Sequence, residues 1–134
     1  YVASVAMGAN RQQTLKAFQE AEAYNGPSLI IAYAPCINHG IDMMLAPDEQ
    51  KLAVESGYFP LYRYNPELVG KDGQKPFSWD AKEPTFSFQE FLKRERRYTS
   101  LKNVAPTEAE ALFKQAEADS KHRMDFYKKF GEIL

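Results

Sequence analysis

The strongest constraint on the fold lies in the first 34 residues, where two apolar runs flank one amphipathic segment. "YVASVAMG" is apolar or small at both alternating sets of positions, Tyr1/Ala3/Val5/Met7 and Val2/Ala6. A strand of that texture is covered on both faces, as in a parallel sheet. Asn10 can cap the following "RQQTLKAFQEAEAY", where Leu15, Phe18 and Ala21 recur at three-residue steps, with Ala17 and Tyr24 widening the stripe. Gly26 and Pro27 end that helix, and "SLIIAYA" supplies a second apolar run. Strands near 1–8 and 28–34, joined through one helix, make a right-handed crossover between two parallel neighbours. The fold class that follows is α/β.

After the second run the texture changes. Pro47, the acidic residues behind it and Gly57 mark a short helix at 48–56, and "FPLYRYNP" reads as a short extended segment bounded by prolines. From Glu67 to Pro84 the chain carries Gly70, Gly73, Pro76 and Pro84 among charges, so it reads as a surface arm. Its apolar anchors Phe77 and Trp79 either dock on a neighbouring domain or subunit or cover the local core. Ser87 with Glu90 forms a capping box that opens "FQEFLKRERRYTSL", a helix with Phe88, Phe91, Leu92, Glu95 and Tyr98 along one side. Thr107 with Glu110 marks a second, longer helix, with an imperfect stripe of Ala111, Leu112, Gln115, Ala116, Asp119, Arg123, Phe126, Tyr127 and Phe130.

At 134 residues the chain has the length of one domain, and 44% hydrophobic residues are enough to support a core. A formal charge of −1 leaves no basic excess to replace phosphate counterions, so no nucleic-acid partner is expected. "KRERR" at 93–97 is the one basic cluster and reads as a solvated helix face. No long uncharged apolar run is present, so no membrane contact is expected, and one cysteine makes no internal disulfide, in keeping with a reducing compartment. The start at Tyr1, inside an apolar strand, reads as a piece of a larger protein.

The one cysteine, Cys36, follows the second apolar run in "AYAPCINHGI". That places it at the carboxyl end of a parallel strand, where cofactors collect in open α/β sheets. Packing is the other reading, because a free cysteine often behaves as a small buried hydrophobe. Asn38, His39 and Gly40 can form a polar turn beside it; the distant His122 does not complete a zinc set. There is no Gly-rich phosphate cradle and no G-x-S-x-G elbow.

Three blocks carry a resemblance. "YVASVAMGANRQQTLKAFQEAEAYNGPSLIIAYAPCINHGI", then "EQKLAVESGYFPLYRYNP" and "KPFSWDAKEPT", closely resemble the C-terminal part of pyruvate:ferredoxin (flavodoxin) oxidoreductases, across most of residues 1–101. The resemblance implies a partial thiamine diphosphate-binding α/β domain over 1–66, followed over 67–134 by an extended arm and terminal helices packing on the same domain or a neighbour. It implies as parent a cytoplasmic, homodimeric enzyme of anaerobic metabolism that uses thiamine diphosphate and Mg2+ to convert pyruvate and coenzyme A to acetyl-CoA. Electrons would leave through [4Fe–4S] clusters to ferredoxin or flavodoxin. In that family the thiamine-proximal cluster takes one cysteine from the position matched here by Cys36, and the other three from a segment this chain lacks. The motifs that hold magnesium and diphosphate also lie outside the matched region, so the chain alone is expected to be inactive and to bind no cofactor. The alternative reading is a non-enzymatic α/β protein-interaction module.

Overall fold

The computed structural model describes residues 1–134. Its centre is a mixed four-stranded sheet in the order β2-β1-β3-β4. β1 (Val2–Val5) and β2 (Leu29–Ala32) are parallel, in register from Val2 opposite Leu29 to Val5 opposite Ala32. α1 (Arg11–Ala23) makes the crossover, and Asn10 caps it by accepting from the Gln13 amide at 2.9 Å. The α/β class and the parallel strand–helix–strand unit therefore hold.

β1 is interior, with Ala3, Val5 and Ala6 all buried. β2 is not: Leu29 is 57% and Ile31 41% exposed, because β2 forms the sheet edge and α1 covers only the face that carries Ile30. α1 also packs through a different stripe from the one its largest side chains suggest. Gln13, Thr14 and Ala17 are buried, while Leu15 and Phe18 stay 56% and 55% exposed. The small Ala17 side chain lets the helix lie close against Ala3 and Val5, and the larger pair is turned outward.

β3 (Tyr62–Tyr64) runs antiparallel to β1, and β4 (Phe77–Trp79) antiparallel to β3. The segment read as a surface arm thus contributes a strand, and of the two roles open to Phe77 it takes the local one. Phe77, Tyr62 and Tyr127 stack on the face opposite α1, with ring centroids 4.9 to 6.2 Å apart. Tyr127 lies on α5 (Pro106–Ile133), which lays its last turns across β3 and β4.

The helices form a second core. α2 (Ala46–Glu55) supplies Ala53, α3 (Phe88–Arg94) supplies Phe88, Phe91 and Leu92, and α5 supplies Ala109 and Phe113. Three sequence expectations are corrected here. The helix opened by Ser87 is broken at Glu95, whose backbone is extended (φ −107°, ψ 126°), so α4 (Arg96–Val104) is a separate helix. Thr107 does not cap α5: Ala105 is the cap residue and Pro106 occupies the first helical position, leaving Thr107 already inside the helix. The buried residues of α5 are Ala109, Phe113, Ser120 and Met124; of the stripe expected from the sequence, Ala116, Tyr127 and Phe130 pack beside them, while Ala111, Leu112, Gln115, Asp119 and Arg123 are exposed. A buried serine at its middle is tolerated because Ser120 Oγ donates to the Gly57 carbonyl at 2.6 Å.

Candidate functional site

Cys36 lies four residues beyond the last residue of β2, at the carboxyl end of the parallel pair. Its thiol is free and exposed. Its backbone is extended and enters a 3-10 turn, Ile37–His39, where the Cys36 carbonyl accepts from the His39 amide at 2.9 Å. Gly40 closes the turn in the left-handed region at φ 74°, a conformation that favours glycine. Asn38 is exposed, and His39 is half-buried with its Nδ1 enclosed and without a hydrogen-bond partner. His122 lies on α5, in an exposed position. No three or more His, Cys, Asp or Glu side chains converge as a metal set in this chain.

The rim around the strand ends is assembled by short-range packing. The β1–α1 turn meets α2, where the Gly8 amide donates to Gln50 Oε1 at 2.5 Å. A Cβ on Gly8 would lie 2.5 Å from the Pro47 carbonyl oxygen, so only glycine allows that approach. Glu49, fully buried in the first turn of α2, accepts from Arg94 Nε at 2.9 Å.

The residues between 33 and 40 are tied to the helical layer. Tyr33 Oη donates to Glu95 Oε1 at 2.8 Å, and Arg97 Nε donates to the other carboxylate oxygen. Arg97 also lies over the Tyr58 and Tyr98 rings, 5.6 and 5.0 Å from their centroids. Burial, reinforced by the Glu95 carboxylate, pushes the Tyr33 phenol well above its ordinary range. The four basic residues of "KRERR" are all exposed, as a solvated face requires, and two of them also pair with buried carboxylates. Arg94 and Arg97 extend from that face to neutralise the buried Glu49 and Glu95.

Sequence reasoning missed one further ionic group. Arg63, on β3, makes a two-pronged contact with Asp80 at 2.7 and 2.9 Å and reaches Glu20 of α1 at 2.6 Å. Gln13 Nε2 adds contacts to Asp80 at 3.0 Å and to the Ser4 carbonyl at 3.1 Å. The Asp80 hydrogen bonds above all keep Arg63 charged. The available signal was an arginine alternating with Tyr62 and Tyr64 in an extended segment. Glu95 was signalled as well, since it falls on the same helical stripe as Phe88, Phe91 and Leu92.

Compared with known proteins, the chain is 61% identical over 98% of its length to the pyruvate:ferredoxin oxidoreductase of Moorella thermoacetica. It is 55% identical, also over 98%, to the pyruvate-flavodoxin oxidoreductase of Enterobacter agglomerans. This stretch of chain is homologous to the pyruvate:ferredoxin/flavodoxin oxidoreductases. These relatives are enzymes, and the chain spans 11% of the length of each of the two. A mitochondrial NADP(+) pyruvate dehydrogenase of Euglena gracilis is 42% identical over 98% of the chain, which covers 7% of that protein. No family model matches the chain. No helix is long and apolar enough to cross a membrane.

The donor chemistry at Cys36 bears on the iron–sulfur cluster that the sequence resemblance leads one to expect. An exposed, unpaired thiol on a strand-end turn is accessible to iron as a single thiolate. A cubane cluster is held by four such ligands, and this chain has one cysteine.

Proposed function

We propose that this chain is the C-terminal part of a pyruvate oxidoreductase and that Cys36 supplies one thiolate to a [4Fe–4S] cluster next to the thiamine site. The parent protein oxidatively decarboxylates pyruvate to acetyl-CoA and passes electrons to ferredoxin or flavodoxin. Thiamine diphosphate, bound with Mg2+ by residues outside this chain, supplies the decarboxylation chemistry. In this reading residues 1–66 close the thiamine-binding domain, and residues 67–134 are the segment that packs on it. The parent is a cytoplasmic homodimer.

The observation that carries the reading is the 61% identity over 98% of the chain to a pyruvate:ferredoxin oxidoreductase. The Cys36 assignment is supported by the thiol's exposure at the carboxyl rim of the β1–β2 pair. What the chain itself contributes is position. β2 and the 3-10 turn hold the sulfur at the rim, and Tyr33, just before the loop, packs against the helical core.

The test uses the full-length protein. Cys36→Ala should remove one cluster from the EPR spectrum of the reduced enzyme and uncouple pyruvate decarboxylation from acceptor reduction. Full cluster content in that variant would overturn the assignment.

A further inference from the structure

Cys36 is exposed, yet the segment that carries it is held at both ends by two consecutive residues of the break between α3 and α4. On the near side Tyr33 Oη donates to Glu95 at 2.8 Å, and the Tyr33 ring lies 5.1 Å from Phe59 and 6.3 Å from Tyr58. On the far side Gly40 lies against Arg96, so closely that an added Cβ would stand 2.9 Å from Arg96 Cβ. Glu95 has no exposed surface, and an apolar residue there would simply have continued the stripe of Phe88, Phe91 and Leu92. A buried carboxylate is costly and persists when it is fully paired; here its partners are Tyr33 and Arg97. The same pairing coincides with the interruption of the helix.

We infer that the α3–α4 break is a clasp that sets the position of the Cys36 thiol, with Tyr33, Glu95 and Gly40 as positioning residues for that ligand. The inference rests on the ligand reading of Cys36 given above. A metal ligand on a short exposed turn is well placed only if its backbone is anchored on both sides, and the partners that orient a ligand affect affinity nearly as much as the ligand does. The clasp provides those anchors three residues before and four residues after the sulfur. It also gives a role to Glu95, Arg96 and Arg97 within the basic cluster.

The test compares Tyr33→Phe and Gly40→Ala with Cys36→Ala in the full-length enzyme. Tyr33→Phe keeps the ring in its aromatic packing and removes only the hydroxyl. Ser120→Ala, which loses a buried hydrogen bond elsewhere in the helical layer, is the control for general loosening. Three quantities are read on the cluster that Cys36→Ala abolishes: its EPR line shape, its midpoint potential, and the rate at which it loses iron to a chelator. Tyr33→Phe and Gly40→Ala should release iron about tenfold faster than wild type and shift the spectrum and potential, while Ser120→Ala leaves all three unchanged. Wild-type values in both clasp variants, with the cluster lost in Cys36→Ala, would overturn the clasp and leave the ligand reading standing. The same holds if Ser120→Ala moves the three quantities as far as the clasp variants do. Retention of every cluster in Cys36→Ala would overturn the ligand reading and the clasp together.

Discussion

Arg63→Met should destabilise the 134-residue chain by about 3 kcal/mol, the low end of the range for removing one partner of a buried ion pair. Arg63 is 9% exposed and satisfies three carboxylate oxygens, two on Asp80 and one on Glu20. Methionine fills much of the space of the arginine stem, so the loss is chiefly electrostatic. It strands Asp80, whose side chain keeps only 14% of its surface in water, and leaves Glu20, at 28%, with the Tyr1 hydroxyl at 2.8 Å and Lys16 at 3.9 Å. The low end applies because that residual water, and the Gln13 amide at 3.0 Å from Asp80, still solvate part of the charge. The triple variant Arg63→Met/Glu20→Gln/Asp80→Asn removes the stranded charges and should recover most of the deficit, leaving a cost of about 1 kcal/mol. Urea unfolding read by far-UV CD and by Trp79 fluorescence measures both, since Trp79 is the one tryptophan and adjoins Asp80. A single-variant cost under about 1 kcal/mol, the range of exposed pairs, would refute the reasoning. So would a triple variant as unstable as Arg63→Met, because that outcome assigns the loss to packing.

Phe91→Ala should cost about 3–5 kcal/mol in the same assay, because Phe91 is fully buried at the centre of the helical core and its ring lies 4.8 Å from Tyr58. Stability should also fall at alkaline pH. Burial is the largest cause raising the phenols of Tyr1, Tyr33, Tyr62 and Tyr98, with Tyr62 pushed up from 10.0 to about 12. These phenols stay protonated in the fold after the unfolded chain has released its protons. Their contribution is intact below pH 10, declines between 10 and 12 for Tyr62, and declines over a window reaching higher for the others. The part of the tyrosinate absorbance that belongs to these four residues should therefore rise in step with loss of CD signal rather than before it; full ionisation in a still-folded chain would contradict the burial argument.

Features carried by local chemistry were readable from the sequence. The Asn10 cap, the Ser87 cap and the acidic first turn of α2 depend on residues within one helical turn of each other. Less local features were misread in informative ways. The large side chains Leu15 and Phe18 drew the helical stripe toward themselves, whereas contact with the sheet selected Ala17, whose small size permits close approach. Thr107 and Glu110 have the spacing of a capping box, but Pro106 had already started the helix one residue earlier. Glu95 fell on an apolar stripe, and only one of its two partners, Arg97, is a sequence neighbour; the other, Tyr33, stands 62 positions away.

By itself the sequence determined the α/β class, the parallel crossover and the placement of Cys36 after the second strand, since each follows from periodicity and from turn chemistry within a few residues. Its similarity to pyruvate oxidoreductases was likewise a property of residue order. Only the tertiary structure decided that β2 is an edge, that Phe77 adds a strand, and that Arg63 and Glu95 are buried charges with distant partners. The physical reason is that the burial of a charge or an aromatic ring depends on which surfaces meet. That meeting is set by pairings across tens of residues, to which the local backbone preferences are indifferent.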